Sequence, residues 1–510
     1  MSHSTMPQHN PPASLKLKQM EQTQAVKSIE ETYQRKTPVE HILLRPDSYI
    51  GSVEPQTQFM WVVDDKSVVF REVTIVPGLI KIFDEVLVNA SDNKQRDSSM
   101  TKLEVTFCQE KGVITVWNNG ASLPVVMHAT EKLYVPELVF GHLRTGSNFD
   151  DNEKKVTGGR NGFGAKLTNI FSSEFIVETN DVTRGLKFRQ VFTNNMQAHE
   201  EATITKATGK RDFTCVSFKP DLAKFKMASL DTDTIAVIKK RVYDMAGVSD
   251  RTLKVFLNGE VVPVTSFKDY VACFQTSEGV LAPFVYERLN ERWEIAVGAS
   301  DGQFRQVSYV NSICTIKGGS HVTAVVDKIT DALSEKASKK ARSGKGTDIK
   351  AFQIKPYVSV YVNCLIENPA FDSQTKETLT TRPKDFGSVP AISDALMKRI
   401  TKVGGIIERV LSWAKFKEGV ELVKASGSKK VNLRGIPKLD DANFAGGARA
   451  EKCTLILTEG DSAKTLAISG LSVVGRDFYG VFPLKGKPLN VRDCGMAKMM
   501  ENQVWLHSDI

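Results

Sequence analysis

No stretch of these 510 residues reads G-x-x-x-x-G-K-[ST], which excludes a Walker-type phosphate loop. There is no C-x-x-C pair either. Seven cysteines lie dispersed at positions 108, 215, 273, 314, 364, 453 and 494. An odd, scattered count excludes a disulfide framework or a zinc ribbon and reads as reduced thiols of an intracellular protein. No apolar run approaches the length of a membrane span. The N-terminus, with Pro7, Pro11 and Pro12 among polar residues, lacks the apolar core of a signal peptide. No internal repeat is present. A soluble protein with no membrane partner is expected. The excess of Lys and Arg (68) over Asp and Glu (59), net +9, permits a polyanionic partner without requiring one.

Against these absences stand glycines 158, 159, 162 and 164, in a loop that runs to Lys166 and into an apolar segment. Such glycines let backbone N–H groups approach a ligand closely, and a helix N-terminus beyond them favours phosphate. Upstream, the apolar spacing from Pro77 to Ala90 predicts a helix with proline at its start. Glu85, Asn89 and Asp92 share its opposite face, within about sixty degrees at 3.6 residues per turn. Beside a phosphate site, a carboxylate there can orient or deprotonate water, and the amide can hold Mg²⁺. By itself that face reads first as the wet side of an amphipathic helix. Alternating runs predict strands over 103–108 and 113–117, followed by an Asn118-Asn119-Gly120 turn suited to a base edge or to nothing more than turning the chain.

Downstream, strand-like runs at 294–297 and 358–362 alternate with helical ones at 322–334 and 391–413. A basic insert, Lys336 to Lys345, lies between them. Glu459-Gly-Asp-Ser-Ala-Lys464 closes a strand-like 453–458, where a carboxylate can hold a hard cation or an acidic turn can cap the next helix.

Taken in this order, the motifs resemble the GHKL ATPase superfamily. The segments 40–52, 156–166, 366–377 and 457–464 resemble its eukaryotic type II topoisomerase branch over about residues 30–500. The resemblance implies an α/β (α+β) fold: a disordered tail (1–30), a GHKL ATPase sandwich with an N-terminal strap (31–260), an α/β transducer (261–425), a linker (426–450) and the start of a TOPRIM α/β domain (451–510). It implies Glu85 and Lys376 as catalytic residues. ATP contacts would come from Asn89, Asn118, Ser147, Asn148, the lid Gly159, Arg160, Asn161, Gly162, Phe163, Gly164, Ala165 and Lys166, from Gln374, Thr375 and Lys376, and from Tyr33 reaching the partner subunit. Asn89 and Glu459 would bind Mg²⁺. Lys339, Lys340, Arg342, Lys485 and Lys487 would meet double-stranded DNA. The implied protein is nuclear and homodimeric through the ATPase gate. Asp-x-Asp does not recur after Glu459, so the third unit looks cut off, and ATP hydrolysis without strand breakage is expected. The alternative is a non-catalytic partner of the full-length enzyme.

Overall fold

The computed structural model describes residues 28–150, 152–275, 283–342, 348–414, 438–447 and 449–484. Residues 1–415 and 416–510 form two compact units. Lys485 and Lys487 lie outside the described residues, as do all but three residues of the expected N-terminal tail and much of the expected linker.

The first unit opens with short helices α1 (Ile29–Thr32) and α2 (Pro38–Leu44) and the hairpin β1 (Gln56–Asp64) and β2 (Ser67–Ile75). Then come α3 (Pro77–Arg96), β3 (Lys102–Cys108), β4 (Val113–Asn118), α4 (Val135–Gly141) and α5 (Gly164–Ile170). The antiparallel strands β5 (Ser172–Asp181), β6 (Leu186–Thr193), β7 (Ala198–His199), β8 (Thr203–Lys206) and β9 (Phe213–Pro220) follow. After them lie α6 (Thr232–Val248), β10 (Lys254–Leu257), β11 (Glu260–Val261) and α7 (Phe267–Ala272). The sheet runs β11-β10-β3-β4-β9-β5-β6-β7, with β8 also on β6. Alternation decides its faces. Ile114, Val116 and Asn118 of β4 are buried, whereas Thr115 bonds Ser217 at 2.8 Å on the other, more polar side.

α3 shows why helical spacing alone is ambiguous. Its apolar side is buried as expected, but so are Lys81, Asp84, Glu85, Asp92, Asn93 and Lys94. The face that could have been wet is interior, and every charge on it needs a partner. The core also runs past residue 260: Phe267, Tyr270, Val271 and Phe274 belong to the same cluster as α3 and α6.

A second sheet, β12-β13-β17-β14-β15, is built from β12 (Phe284–Asn290), β13 (Trp293–Ala299), β14 (Arg305–Val310), β15 (Ile313–Cys314) and β17 (Val358–Cys364). β16 (Gly318–Gly319) pairs β18 (Thr378–Leu379) apart from it. All seven residues of β17 are buried, as a central strand covered on both faces requires. One side packs on α8 (Ser320–Arg342) through Val325, Ile329 and Leu333, while Ala296, Val307, Tyr309 and Tyr361 join the first core.

Two expectations are corrected here. The basic run at 336–342 is no loop insert but the last turns of α8, with Ala337 fully buried. The helix expected over 391–413 is two pieces, α10 (Asp394–Ile400) and α11 (residues 406–414), because Gly404 and Gly405 take φ of 58° and 64°. Left-handed backbone ends a right-handed helix. The short α9 (Ala351–Ile354) precedes β17.

The second unit holds β19 (Thr454–Thr458) parallel to β20 (Tyr479–Pro483), connected by α12 (Asp461–Val474). Among the described residues, no helix is long and apolar enough to cross a membrane.

Candidate nucleotide site

α3, the end of β4, the loop at 145–148, the glycine loop and residues 374–376 enclose a cavity of about 450 Å³. Its lining includes Glu85, Asn89, Asn118, Ser147, Asn148, Gly159, Arg160, Asn161, Gly162, Phe163, Gly164, Ala165, Lys166, Gln374 and Lys376. Residues nearly 300 positions apart in sequence therefore meet around one space. Thr375 is not in the lining; its hydroxyl bonds Ser373 at 2.7 Å. Tyr33 is 80% exposed and also outside it.

Glu85, only 3% exposed, lies between two lysines. Lys81 Nζ, one turn back on α3, is 2.6 Å from Oε1. Lys376 Nζ, from beyond β17, is 3.3 Å from Oε1 and 3.4 Å from Oε2. Burial alone would raise the Glu85 carboxyl, but the Lys376 and Lys81 charges outweigh it and hold the carboxyl down near 2. Lys376 sits at φ 62°, uncommon for a side-chain-bearing residue. Its flank is tied to the glycine loop, since Asn161 Nδ2 donates to Gln374 Oε1 at 2.9 Å.

The glycine loop is gripped at its root. Asp92, 2% exposed, accepts from Gly158 N at 2.7 Å and Gly159 N at 2.8 Å, and Asn148 Nδ2 donates to Gly159 O at 2.7 Å. Burial raises the Asp92 carboxyl to about 6 despite those two bonds. Glycine is required farther along. Gly162 has φ 65°, and a Cβ on Gly164 would run into the Glu85 carboxylate. Lys166 donates to Thr145 O at 2.7 Å, and its burial lowers the ammonium pKa to about 8.

At the other end, Asn118 Oδ1 accepts from Asn93 Nδ2 at 2.8 Å and from Gly120 N at 3.2 Å. Its Nδ2, with no partner among the described residues, is the group left to donate to a ligand. The Asn89 amide, half-buried in the lining, is likewise unengaged by the described residues.

The remaining expected residues lie apart from this cavity. Lys339 pairs with Glu335 at 2.6 Å and Lys340 with Glu408 at 2.9 Å, while Arg342 ends α8. In the second unit, Glu459 is exposed between β19 and α12. Among the described residues, no group of three or more His, Cys, Asp or Glu is placed to hold a metal.

Sequence reasoning missed Lys81, although its spacing of four before Glu85 was a usable signal. It also missed Asn93, one turn beyond Asn89. Neither did it find Arg241 of α6, which bonds Asp84 at 2.7 Å and Asp244 at 2.6 Å directly behind the site. The i,i+3 spacing of Arg241 and Asp244 was a local signal, but nothing local ties them to Asp84, 157 residues from Arg241.

A buried helix carboxylate, a glycine loop and a lysine delivered from the loop beyond β17 define a GHKL-type ATPase fold joined to a second α/β domain. The DNA gyrase B family profile matches residues 266–428. DNA topoisomerase 2 of Pisum sativum is 55% identical over 94% of this chain, which covers 33% of that relative. The ATPase region of Saccharomyces cerevisiae topoisomerase II superposes with TM-score 0.70 at 47% identity, over 74% of this chain and 99% of that one. The ATPase and transducer domains of DNA topoisomerase II from Balamuthia mandrillaris give 0.73 at 47%, over 77% and 100%. The chain belongs to the eukaryotic type II DNA topoisomerase family. It spans about a third of the length of the curated relatives it matches.

Proposed function

We propose that this chain binds and hydrolyses ATP as the nucleotide gate of a type II DNA topoisomerase, closing as a homodimer around double-stranded DNA in the nucleus. One observation carries the reading: a buried carboxylate held between two lysines, one of them delivered from the loop beyond β17, in a cavity floored by a glycine loop.

Asn118 Nδ2 donates to a ring nitrogen of adenine. N–H groups along 160–166 and the Lys166 ammonium receive the phosphates, and Lys376 meets the terminal one. Glu85 orients the attacking water and takes its proton. Bracketed by Lys81 and Lys376, Glu85 is a weak base; a terminal phosphate that draws the Lys376 charge toward itself raises its basicity. The base is thereby strengthened only when there is something to hydrolyse. The unengaged Asn89 amide fits Mg²⁺, which takes few protein ligands when it arrives with a triphosphate. When bound, Mg²⁺ would neutralise phosphate charge.

In this reading residues 31–260 are the ATPase domain with its strap, 261–425 the transducer and 451–510 part of a TOPRIM domain. Tyr33 reaches the partner subunit's site, and Glu459 contributes to a second Mg²⁺ site. Lys339 and Lys340, on the exposed end of α8, contact DNA phosphates.

The test is ATP hydrolysis by the purified chain, with and without duplex DNA, against Glu85→Ala. Turnover that rises more than linearly with protein concentration and vanishes in the variant is expected. No turnover in either protein overturns the reading.

A further inference from the structure

The Asn161–Gln374 bond beyond β17 is not the only link between the second domain and the glycine loop. The β14–β15 hairpin turns at Asn311 and Ser312, both left-handed at φ 50° and 64°. Although this turn belongs to the second sheet, its polar atoms reach into the first domain. Ser312 Oγ bonds Ser91 Oγ of α3 at 2.8 Å, and Arg241 Nη2 of α6 donates to Ser312 O at 3.3 Å. Asn311, 1% exposed, bridges the two. Its Oδ1 accepts from Ile366 N at 2.8 Å, and its Nδ2 donates to Ile366 O at 2.9 Å and to Thr157 O at 3.1 Å.

Thr157 immediately precedes the two glycines whose N–H groups Asp92 holds. Two consecutive peptide units are therefore fixed, Thr157–Gly158 from two sides, by Asp92 of α3 and by Asn311 of the second sheet, and Gly158–Gly159 by Asp92. The space is tight as well: a Cβ on Gly158 would lie 3.1 Å from Asn311 O and 2.7 Å from Val88 Cγ1. The second sheet cannot shift against α3 without pulling Asn311 off Thr157 or dragging the root of the loop with it.

We propose that Asn311 is a positioning residue that makes the phosphate-binding geometry of the glycine loop depend on the second sheet, by a route separate from Lys376. The proposal rests on the nucleotide-gate reading only for its effect on ATP. Its structural half can be tested without turnover. Asn311→Gly keeps the left-handed turn accessible and removes the side chain. Ser312→Gly, the control, cuts the Ser91 bond in the same turn and leaves Asn311 in place.

In the full chain, amide exchange over 157–166 should speed up about tenfold in Asn311→Gly, the loss of its one buried hydrogen bond to the loop, and stay within about twofold in Ser312→Gly. The KM for ATP should rise by a similar factor while kcat changes less than about threefold, and the effect should multiply with that of Lys376→Ala. Equal loop exchange in the two turn variants would overturn the proposal, since Asn311 would then be acting only as part of the turn's stability. Faster exchange in a chain that does not hydrolyse ATP would uphold the positioning role and sink the nucleotide reading instead. Should Asn311→Gly fail to fold, Asn311→Asp, which keeps the acceptor for Ile366 N and loses the donor to Thr157, is read by the same criteria.

Discussion

Raising the pH from 7 to 9 should weaken nucleotide binding through one residue. Lys166 is buried in the lining, and its folded pKa is lowered to about 8 by desolvation. Protonated Lys166 predominates below that value, so the positive charge available to a phosphate is lost as pH rises through it. At pH 7 about nine-tenths of the chains carry the charge and at pH 9 about one-tenth, a ratio near ten, or about 1.4 kcal/mol of binding free energy. The γ-phosphate is fully ionised over the upper part of this window, so its own titration does not mimic the effect. The assay is equilibrium binding of a non-hydrolysable ATP analogue at constant ionic strength, in half-unit steps from pH 6.5 to 9.5. Lys166→Arg keeps the charge across the range and should flatten the curve. Lys166→Met should bind weakly and without pH dependence. A wild-type curve that stays flat, or an Arg variant that falls in parallel with it, refutes the reasoning.

Two further outcomes follow from groups around the same cavity. Arg241→Leu strips the shared partner from buried Asp84 and Asp244 and should cost about 3–5 kcal/mol in urea unfolding followed by tryptophan fluorescence. A loss under about 1 kcal/mol would mean that Lys240 and Tyr270, which also bond Asp244, suffice. Gly164→Ala drives a methyl into the Glu85 carboxylate and should lower kcat at least about a hundredfold with the fold retained. Hydrolysis within about threefold of wild type would show that Glu85 moves aside without consequence.

Some of this architecture was legible and some was not, for reasons that differ residue by residue. The helix at Pro77 announced itself through its 3.6-residue period and initiating proline, and β3 and β4 through their alternation. What lay beneath that pattern was hidden, because spacing reports which residues share a face and not whether that face is dry. Glu85 and Asp92 could be solvated or interior on the same wheel, and only the glycine loop, the start of α5 and Lys376 close over them. The end of α8 was obscured by its lysines, although Ala337 and Ala341 keep the helical step through them. Gly404-Gly405 was a legible break that the surrounding apolar residues outvoted. Asn311 carried no signal of its role, since its partner Thr157 lies 154 residues away.

The aromatic cluster that joins α6, α7 and the second sheet also bears on how this chain can be dissected. A recombinant piece stopping at residue 260 would end between α6 and α7. It would lose Tyr270, which bonds Asp244 at 2.6 Å and Tyr309 at 2.7 Å, and Phe274, whose ring meets Trp61 and Tyr361. Such a fragment would display bare greasy surface and an interior acid short of one hydrogen bond, and would be expected to precipitate during purification. The same stitching limits what recombination among relatives can do. Exchanging one sheet for a homologue's requires matched aromatics on both sides of the seam, so the two halves are expected to change together or not at all.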